Sequence, residues 1–421
     1  MEIGKPQLFS DTKSFVWVMS ALSMVLILRL FFSYQEYRQF ISKPFYYTYA
    51  DVVSEKSKTS KGRRYKVLKL HADNGLRFIT TAYDKNSYAG KRLRLQIFPD
   101  EAISFRGYLS TFFVRSRIKE AEPLPGSFKE ELLQTVALQH EDPSIASFYN
   151  AILFAAPLEK RLREQVSKLG VSHLVALSGF HLGILWGLVY GVMRLLYRPL
   201  QQRYFPYRFA LLDVGSAAIG ILAYYVWFVD APPSLLRSYA MVLAGWGVLL
   251  LGMELVSFAF LFTVVFLLLA LFPSLAVSLS FWFSVAGVFA IFLLLKYTKH
   301  IGQKTVTLAV IPTGIFILML PVVHSIFPVT TPYQLLSPLL SLLFIPFYPL
   351  AMAVHLAGHG GVFDTVLLWL FALPDEAEMQ LLPARILFGY ILLALLSMRY
   401  KGAFVLLSLS SLVYAISIFL F

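Results

Sequence analysis

His173–Tyr197 reads HLVALSGFHLGILWGLVYGVMRLLY. The run is long and apolar enough to cross a bilayer, whose ~30 Å hydrocarbon core takes about 20 helical residues. It nevertheless opens on a polar cluster of His173, Ser178, Gly179 and His181. Polar groups at membrane depth are costly and usually face a protein interior or a water-filled path. A polar, soluble-looking segment precedes this stretch, and almost unbroken hydrophobicity follows it. The fold therefore divides here, and the chemistry of the protein is expected to pass through this stretch.

Working outward, the 421 residues are 57% hydrophobic and 14% charged, with apolar runs near membrane-spanning length recurring along the chain. That composition predicts a polytopic α-helical membrane protein. The net charge of +13 is uneven: residues 43–118 hold 16 Lys/Arg against 6 Asp/Glu, a balance of +10. A basic block of that size points to an anionic partner, nucleic acid or lipid headgroups. The absence of cysteine excludes disulfides, thiolate metal sites and thiol catalysis. No GxxxxGK[ST] phosphate loop occurs, so ATP is not used by that route.

Upstream, a short polar tail leads into an apolar run, Phe15–Phe32, with no small-residue cleavage site behind it. It reads as a retained first transmembrane helix. Between 45 and 120 the pattern changes to short Tyr- and Phe-rich runs broken by turn residues. Phe45–Val53, Arg63–Leu70, Leu76–Tyr83, Lys91–Phe98 and Phe112–Ile118 are predicted strands, with turns at Lys61-Gly62, Asp73-Asn74-Gly75, Asp84-Lys85-Asn86, Ala89-Gly90 and Pro99-Asp100. Lys91–Phe98 alternates, Leu93, Leu95 and Ile97 against Arg92, Arg94 and Gln96. Five short strands in about 75 residues fit a small β-barrel of OB type. Residues 123–172 then read as an amphipathic helical connector, over Phe128–Leu138, Ile145–Ala156 and Leu158–Leu169.

Downstream, spans are predicted near 173–197, 209–229, 234–252, 255–272, 274–296, 306–327, 334–356, 362–373, 385–399 and 402–421, about 10–11 transmembrane helices with the first. The piece 362–373 is short for a span. With the N-terminus cytoplasmic, three basic loops fall inside (Arg198, Arg203 and Arg208; Lys296, Lys299 and Lys304; Arg399 and Lys401). The acidic loop Asp375-Glu376-Ala377-Glu378 falls outside, which obeys the positive-inside rule provided 362–373 crosses. The same parity places 43–172, with its β domain, outside.

Four stretches could carry chemistry. In the first, Ser178 and His181 are i,i+3 neighbours, but no orienting acid is near in sequence for a hydrolase triad. His173 and His181 stand about 12 Å apart along a helix, too far to share a metal. Gly179, Gly183, Gly187 and Gly191 recur every four residues, a face that lets another helix approach. Internal packing, the lining of a polar path and catalysis all stay open for this stretch. In the second, Pro232-Pro233 makes a turn, Ser234 is a candidate N-cap, and Arg237 sits one turn into an apolar helix. It either snorkels to the interface or faces inward, toward a phosphate or another helix. In the third, His355 and His359 have an i,i+4 metal-ligand spacing without the Glu of a zincin, so no metal site is assigned. The fourth is the basic domain, where Arg63, Arg64, Lys66, Lys91, Arg92, Arg94, Arg115 and Arg117 interleave with Tyr46, Tyr47 and Tyr65. Cationic grooves with stacking aromatics bind single strands, whereas a solvated positive face or one attracted to membrane lipids gives the same composition.

Taken together these residues resemble the ComEC family of competence proteins. Gly170-Val171-Ser172-His173-Leu174, followed by Ser178-Gly179-Phe180-His181-Leu182-Gly183, is similar to the family's Gly-x-x-His-Leu…Ser-Gly-x-His-x-Gly signature. Pro232-Pro233-Ser234-Leu235-Leu236-Arg237 resembles its Pro-Ser-x-x-Arg stretch, and Pro273 with Leu279-Ser280-Phe281 resembles its Pro…Leu-Ser-Phe helix. Phe105-Arg106-Gly107-Tyr108-Leu109 is similar to the end of its OB-like region. The resemblance implies an inner-membrane channel for single-stranded transforming DNA, and a DNA-binding OB-like domain. It implies a path bordered by His173, Ser178, Gly179, His181, Gly183 and Arg237. It implies as partners a periplasmic DNA receptor, a cytoplasmic helicase-like ATPase and, for the discarded strand, a separate nuclease. No His-x-His-x-Asp-His cluster occurs, so the metallo-β-lactamase-like domain of many members is not expected here, and neither a cofactor nor a catalytic residue is assigned. The alternatives are a membrane-embedded hydrolase using Ser178 and His181, and a lipid-binding scaffold.

Overall fold

The computed structural model describes residues 9, 11–60, 63–84, 86–124, 128–250, 257–374 and 376–420. Most of the N-terminal tail, the Lys61-Gly62 turn, Lys85 and Asp375 fall outside the described residues. So do 251–256, where two predicted spans were expected to meet. The chain forms two compact units, one of Asp11–Ser127 with Val265–Leu279, the other of Phe128–Val264 with Ser280–Phe421.

The first unit begins with helix α1, Thr12–Ser42, capped where the Asp11 carboxylate accepts the Ser14 N–H at 2.6 Å. Its 31 residues measure about 46 Å, well beyond the predicted Phe15–Phe32. The excess enters the domain that follows. Tyr37 and Phe40 are buried with Leu68, Leu70, Phe78, Leu93, Leu95 and Ile97, and the Tyr37 hydroxyl donates to the Ile103 carbonyl at 2.7 Å. The β domain comprises β1 (Tyr46–Ser60), β2 (Arg63–Ala72), β3 (Arg77–Ala82), β4 (Lys91–Phe98), a single helical turn α2 (Phe105–Tyr108), β5 (Phe112–Phe113) and β6 (Arg115–Pro123). Leu93, Leu95 and Ile97 point inward, as their alternation predicts.

The strand order is β5-β3-β2-β1-β4-β6, antiparallel except for β3 with β5. The expected barrel of OB type is not closed in this order, because the ladder has two ends. The predicted strand Phe112–Ile118 is split: β5 pairs with β3, the chain breaks from the ladder at Val114, and β6 pairs with β4. A hydroxyl pair, Thr80 Oγ1 to Ser116 Oγ at 2.8 Å, spans β3 and β6 where no ladder joins them.

The second unit is helical. It contains α3 (Phe128–Ala137), α4 (Pro143–Phe154), α5 (Lys160–Lys168), the turn α6 (Ser172–Val175), α7 (Gly179–Tyr204), α8 (Ala210–Phe228) and α9 (Pro233–Leu250). Then follow α10 (Phe258–Leu271), whose second half belongs to the first unit, α11 (Leu279–Tyr297), the turn α12 (Gln303–Thr305) and α13 (Ile311–His324). A short strand β7 (Val329–Thr330) precedes α14 (Ser337–Leu356) and α15 (Asp364–Ala372), and β8 (Glu378–Met379) precedes α16 (Ala384–Leu396) and α17 (Lys401–Leu420).

Among the described residues seven helices are long and apolar enough to cross a membrane: Thr12–Ser42, Gly179–Tyr204, Ala210–Phe228, Leu279–Tyr297, Gln303–His324, Pro332–Leu356 and Lys401–Leu420. This is the framework of a multi-pass membrane protein. Four further apolar helices, Ser234–Leu250, Phe258–Leu271, Gly360–Ala372 and Ala384–Leu396, are shorter. Against the expected 10–11 spans, the described residues thus give seven of full length and four shorter apolar helices. In particular α15 has nine residues, about 13 Å, and cannot cross alone. It packs against α4 and α5, and the pairing of β7 with β8 sets its exit next to the start of α14.

Within the predicted amphipathic connector, α5 keeps a polar face, with Leu162 and Val166 buried and Arg161, Arg163 and Glu164 exposed, whereas α4 does not. In α4, Ile145, Ala146, Phe148, Tyr149, Ala151, Ile152 and Leu153 are all buried, leaving no wide polar face. His140 adjoins the C-terminal end of α14, whereas the Lys168 and Gly170 carbonyls accept from Thr331 and Ser337 at its start, at 2.6 and 3.1 Å. Residues 140–170 therefore run the length of α14.

Candidate functional site

The polar opening of α7 is a helix start. Ser178 is its N-cap, accepting the Phe180 N–H at 3.3 Å, while His181 Nδ1 reaches back to accept the Ser178 N–H at 3.3 Å. That reciprocal arrangement is a capping box with histidine where glutamate usually stands. Because Nδ1 accepts a backbone N–H, the proton of a neutral His181 is on Nε2. His181 is fully buried, edge-on to Phe344 and Tyr348 with ring centres 5.1 and 5.0 Å away. Among the described residues no carboxylate bonds its Nε2, so none orients it as in a hydrolase triad. Ser178 and His181 do touch, Oγ to Nδ1 at 3.3 Å, as their spacing predicts.

The neighbours of this cap are the other motifs. A Cβ on Gly179 would lie 3.2 Å from Ser238 Oγ, so α7 and α9 meet there backbone against side chain. The adjacent Arg237 is buried, with Nη2 donating to Ser280 Oγ of α11 at 2.8 Å and its guanidinium 6.0 Å from the centre of the Phe281 ring. It faces inward and does not snorkel. Ser234 lies inside the first turn, because α9 already begins at Pro233. His173 contacts Ser341 Oγ of α14 through Nε2 at 3.1 Å. Gly170 adopts a φ of +68° and packs on Gln334, a conformation that favours glycine. Three stretches spread over about a hundred residues, 178–183, 232–238 and 279–281, thus meet at one place.

The glycine repeat is only partly used. Among the described residues Gly183, Gly187 and Gly191 have nothing within 4 Å of an added Cβ, so none of the described helices packs closely on that face. Of the four glycines, Gly179 is the one against which another helix comes close.

On the β domain the eight candidate cations differ in availability. Lys66 forms a 2.7 Å ion pair with Glu55 and donates to the Asn86 carbonyl at 2.8 Å. Burial raises the Glu55 carboxyl, but hydrogen bonds from Lys66 and the Tyr88 N–H and the Lys66 charge outweigh it and hold the group below its ordinary range. Burial and a hydrogen bond to Asp84 push the Tyr88 hydroxyl up to about 12. Arg92 pairs with Asp73, Arg94 with Glu120 at 3.2 Å, and Arg115 with Asp100 at 3.8 Å. Arg64 and Lys91 enter no ion pair among the described residues, Arg117 rests over the Phe98 ring, and the Arg63 side chain is outside the described set. On the outer face of β1, β4 and β6, register places Tyr47 opposite Gln96, Tyr49 opposite Arg94, and Gln96 opposite Arg117. Tyr47 and Tyr49 are half exposed, with Arg92 5.7 Å from the Tyr49 ring centre. Tyr49, which belongs to this platform with Tyr47, was not among the aromatics singled out in the sequence, although strand alternation places the two on one face. An open groove of about 830 Å³, lined by Thr81, Tyr83, Tyr88, Lys91, Arg117 and Lys119 among others, runs between the ends of β3 and β6.

His355 pairs with His140, 215 residues away, and not with His359. No group of three or more His, Cys, Asp or Glu among the described residues could hold a metal.

The sequence model of one family, "Competence protein", matches residues 155–403. The chain is 26% identical over 229 residues to "Uncharacterized protein YcaI" of Escherichia coli (strain K12), covering 50% of this chain and 30% of that protein. It is 25% identical over 311 residues to an "Uncharacterized protein" of Aquifex aeolicus (strain VF5), covering 72% of this chain and 67% of that protein. No solved structure matches.

Proposed function

This chain belongs to the competence protein family, and we propose that it passes single-stranded DNA across the bacterial inner membrane into the cytoplasm. The observation that carries the reading is the meeting of the 178–183, 232–238 and 279–281 stretches around a buried arginine. A buried guanidinium in a helical membrane protein is costly and marks a functional path more often than a packing site. Arg237 offers a planar fork suited to a phosphodiester. The unpacked Gly183 face of α7 leaves room for a strand to move past, and His173, Ser178, Gly179 and His181 hold the mouth of that path in shape.

The β domain receives the strand in this account. Its sheet is read as OB-type because the two ends of the ladder, β5 and β6, flank a single residue, so one continuous segment runs from β3 to β4. Tyr47 and Tyr49 supply stacking surfaces. Arg92, Arg94 and Arg117 supply phosphate contacts beside them, and Arg64, Lys91 and Arg115 extend the cationic rim. The domain lies outside, facing a periplasmic receptor, and the N-terminus is cytoplasmic. Energy comes from a cytoplasmic helicase-like ATPase, and the discarded strand goes to a separate nuclease.

The test is titration of the full-length protein in lipid nanodiscs with single-stranded DNA at rising salt. Each phosphate neutralised contributes about −0.7 to the slope of log K against log salt. The expected result is binding with a slope of several such units that shrinks when Arg94 and Arg117 are changed to Gln. Binding equal to that of nanodiscs without protein would remove the receiving role. Competition by anionic lipid alone would favour a lipid-docking surface.

A further inference from the structure

The loop after α3 is tied to the far end of α14 by three side chains. His140 Nδ1 lies 2.9 and 3.0 Å from the two Asp364 oxygens at the start of α15. His140 Nε2 lies 3.0 Å from His355 Nε2, and His355 Nδ1 lies 2.6 Å from the Ala351 carbonyl. A carbonyl only accepts, so His355 Nδ1 carries a proton. The nitrogen pair needs a proton between its two lone pairs, and the carboxylate–imidazole contact needs a third. An ionised aspartate facing two neutral imidazoles supplies only two.

We propose that Asp364, His140 and His355 form a proton-binding site, which takes up one proton beyond that complement and thereby clasps the 139–149 segment to the turn between α14 and α15. The extra proton is equivalent whether drawn on Asp364 or on His140. It brings the cluster from a net charge of −1 to zero. Burial favours that outcome, since the His140 side chain is 0% exposed and His355 8% exposed. Release of the proton leaves two nitrogen lone pairs facing each other 3.0 Å apart, which drives the rings apart.

The surroundings hold the site in shape. From α4, Tyr149 stacks on His140 at 4.6 Å between ring centres and lies 4.4 Å from His355. Its hydroxyl meets no hydrogen-bond partner among the described residues, and burial, then the Asp364 charge, push it far up, so it stays neutral. Gln139 donates to the His355 carbonyl at 3.2 Å and accepts the Gly360 N–H at 2.8 Å. A Cβ on Gly360 would come within 2.7 Å of both Gln139 Oε1 and His355 Nε2, so only glycine closes the turn over the rings. On the loop itself, Asp142 is engaged in capping α4 through the Ser144 N–H, and Glu141 is exposed. The facing ionisable groups are therefore Asp364 and Tyr149.

Hydrogen exchange of the full-length protein across pH, corrected for intrinsic rates, tests this. Protection of residues 138–141 and of the Gly360 N–H is expected to fall about tenfold per pH unit above the titration point, the slope of one proton. The Asp364→Asn variant should lose that step, while protection of α17 reports that it still folds. A wild-type profile flat with pH, or a step that survives in the variant, would overturn the proposal. Imidazole ¹⁵N spectra of the wild-type protein count the protons directly: three on the cluster support the account, and two contradict it.

Discussion

At the scale of single residues, Arg237 and Glu55 show how context decides what a charge does. Arg237 is shielded from water yet keeps the hydroxyl of Ser280 and the face of Phe281 beside it. Hydrogen bonds to charged groups contribute about 1.5–3 kcal/mol. Arg237→Ala is thus expected to lower cytoplasmic DNA uptake by roughly 10- to 100-fold at unchanged membrane insertion, and Arg237→Lys, which keeps charge but not the fork, to fall between. Uptake at the wild-type level in Arg237→Ala would leave it a packing residue. Glu55 is a structural carboxylate. Its folded-state pKa is depressed, so the stability it contributes is present above its unfolded value, near 4.5, and is lost as pH falls through the lower folded value. Acid weakening of the β1–β2 pairing, followed by amide protection, should be flatter in Glu55→Gln. An unchanged acid limb in that variant would assign the weakening to other groups.

At the scale of elements, the first turn of α7 is where close packing matters. Gly179→Ala places a methyl 3.2–3.3 Å from Ser238 and is expected to destabilise by about 1 kcal/mol. Ser238→Gly should relieve it, and Gly183→Ala, in open space, should be silent. Thermal unfolding in detergent distinguishes these, and equal losses at 179 and 183 would contradict the geometry. The elements also show what was legible. The alternation in Lys91–Phe98 located β4 and its inward face, and the apolar runs located the long helices. The end of α1 was not legible, because Tyr37 and Phe40 follow charged residues and only the fold reveals the β domain as their core. Nor was the pairing of His140 with His355, since no spacing rule links side chains 215 residues apart. The nearer His359, at a metal-ligand spacing, drew attention away from it. Charge content overstated the basic face, because pairing of Lys66, Arg92, Arg94 and Arg115 with carboxylates depends on strand register and turn placement.

At the scale of the whole molecule, the account joins a receiving β domain to a helical membrane part whose family signature gathers at one buried arginine. Its central claim is passage of DNA through the membrane. The most direct measurement follows labelled DNA in the source organism with the gene deleted, scoring arrival in the periplasm and in the cytoplasm separately. The account predicts normal arrival outside the inner membrane and loss of arrival inside, restored by the wild-type chain and not by Arg237→Ala. Undiminished cytoplasmic DNA in the deletion strain would contradict it.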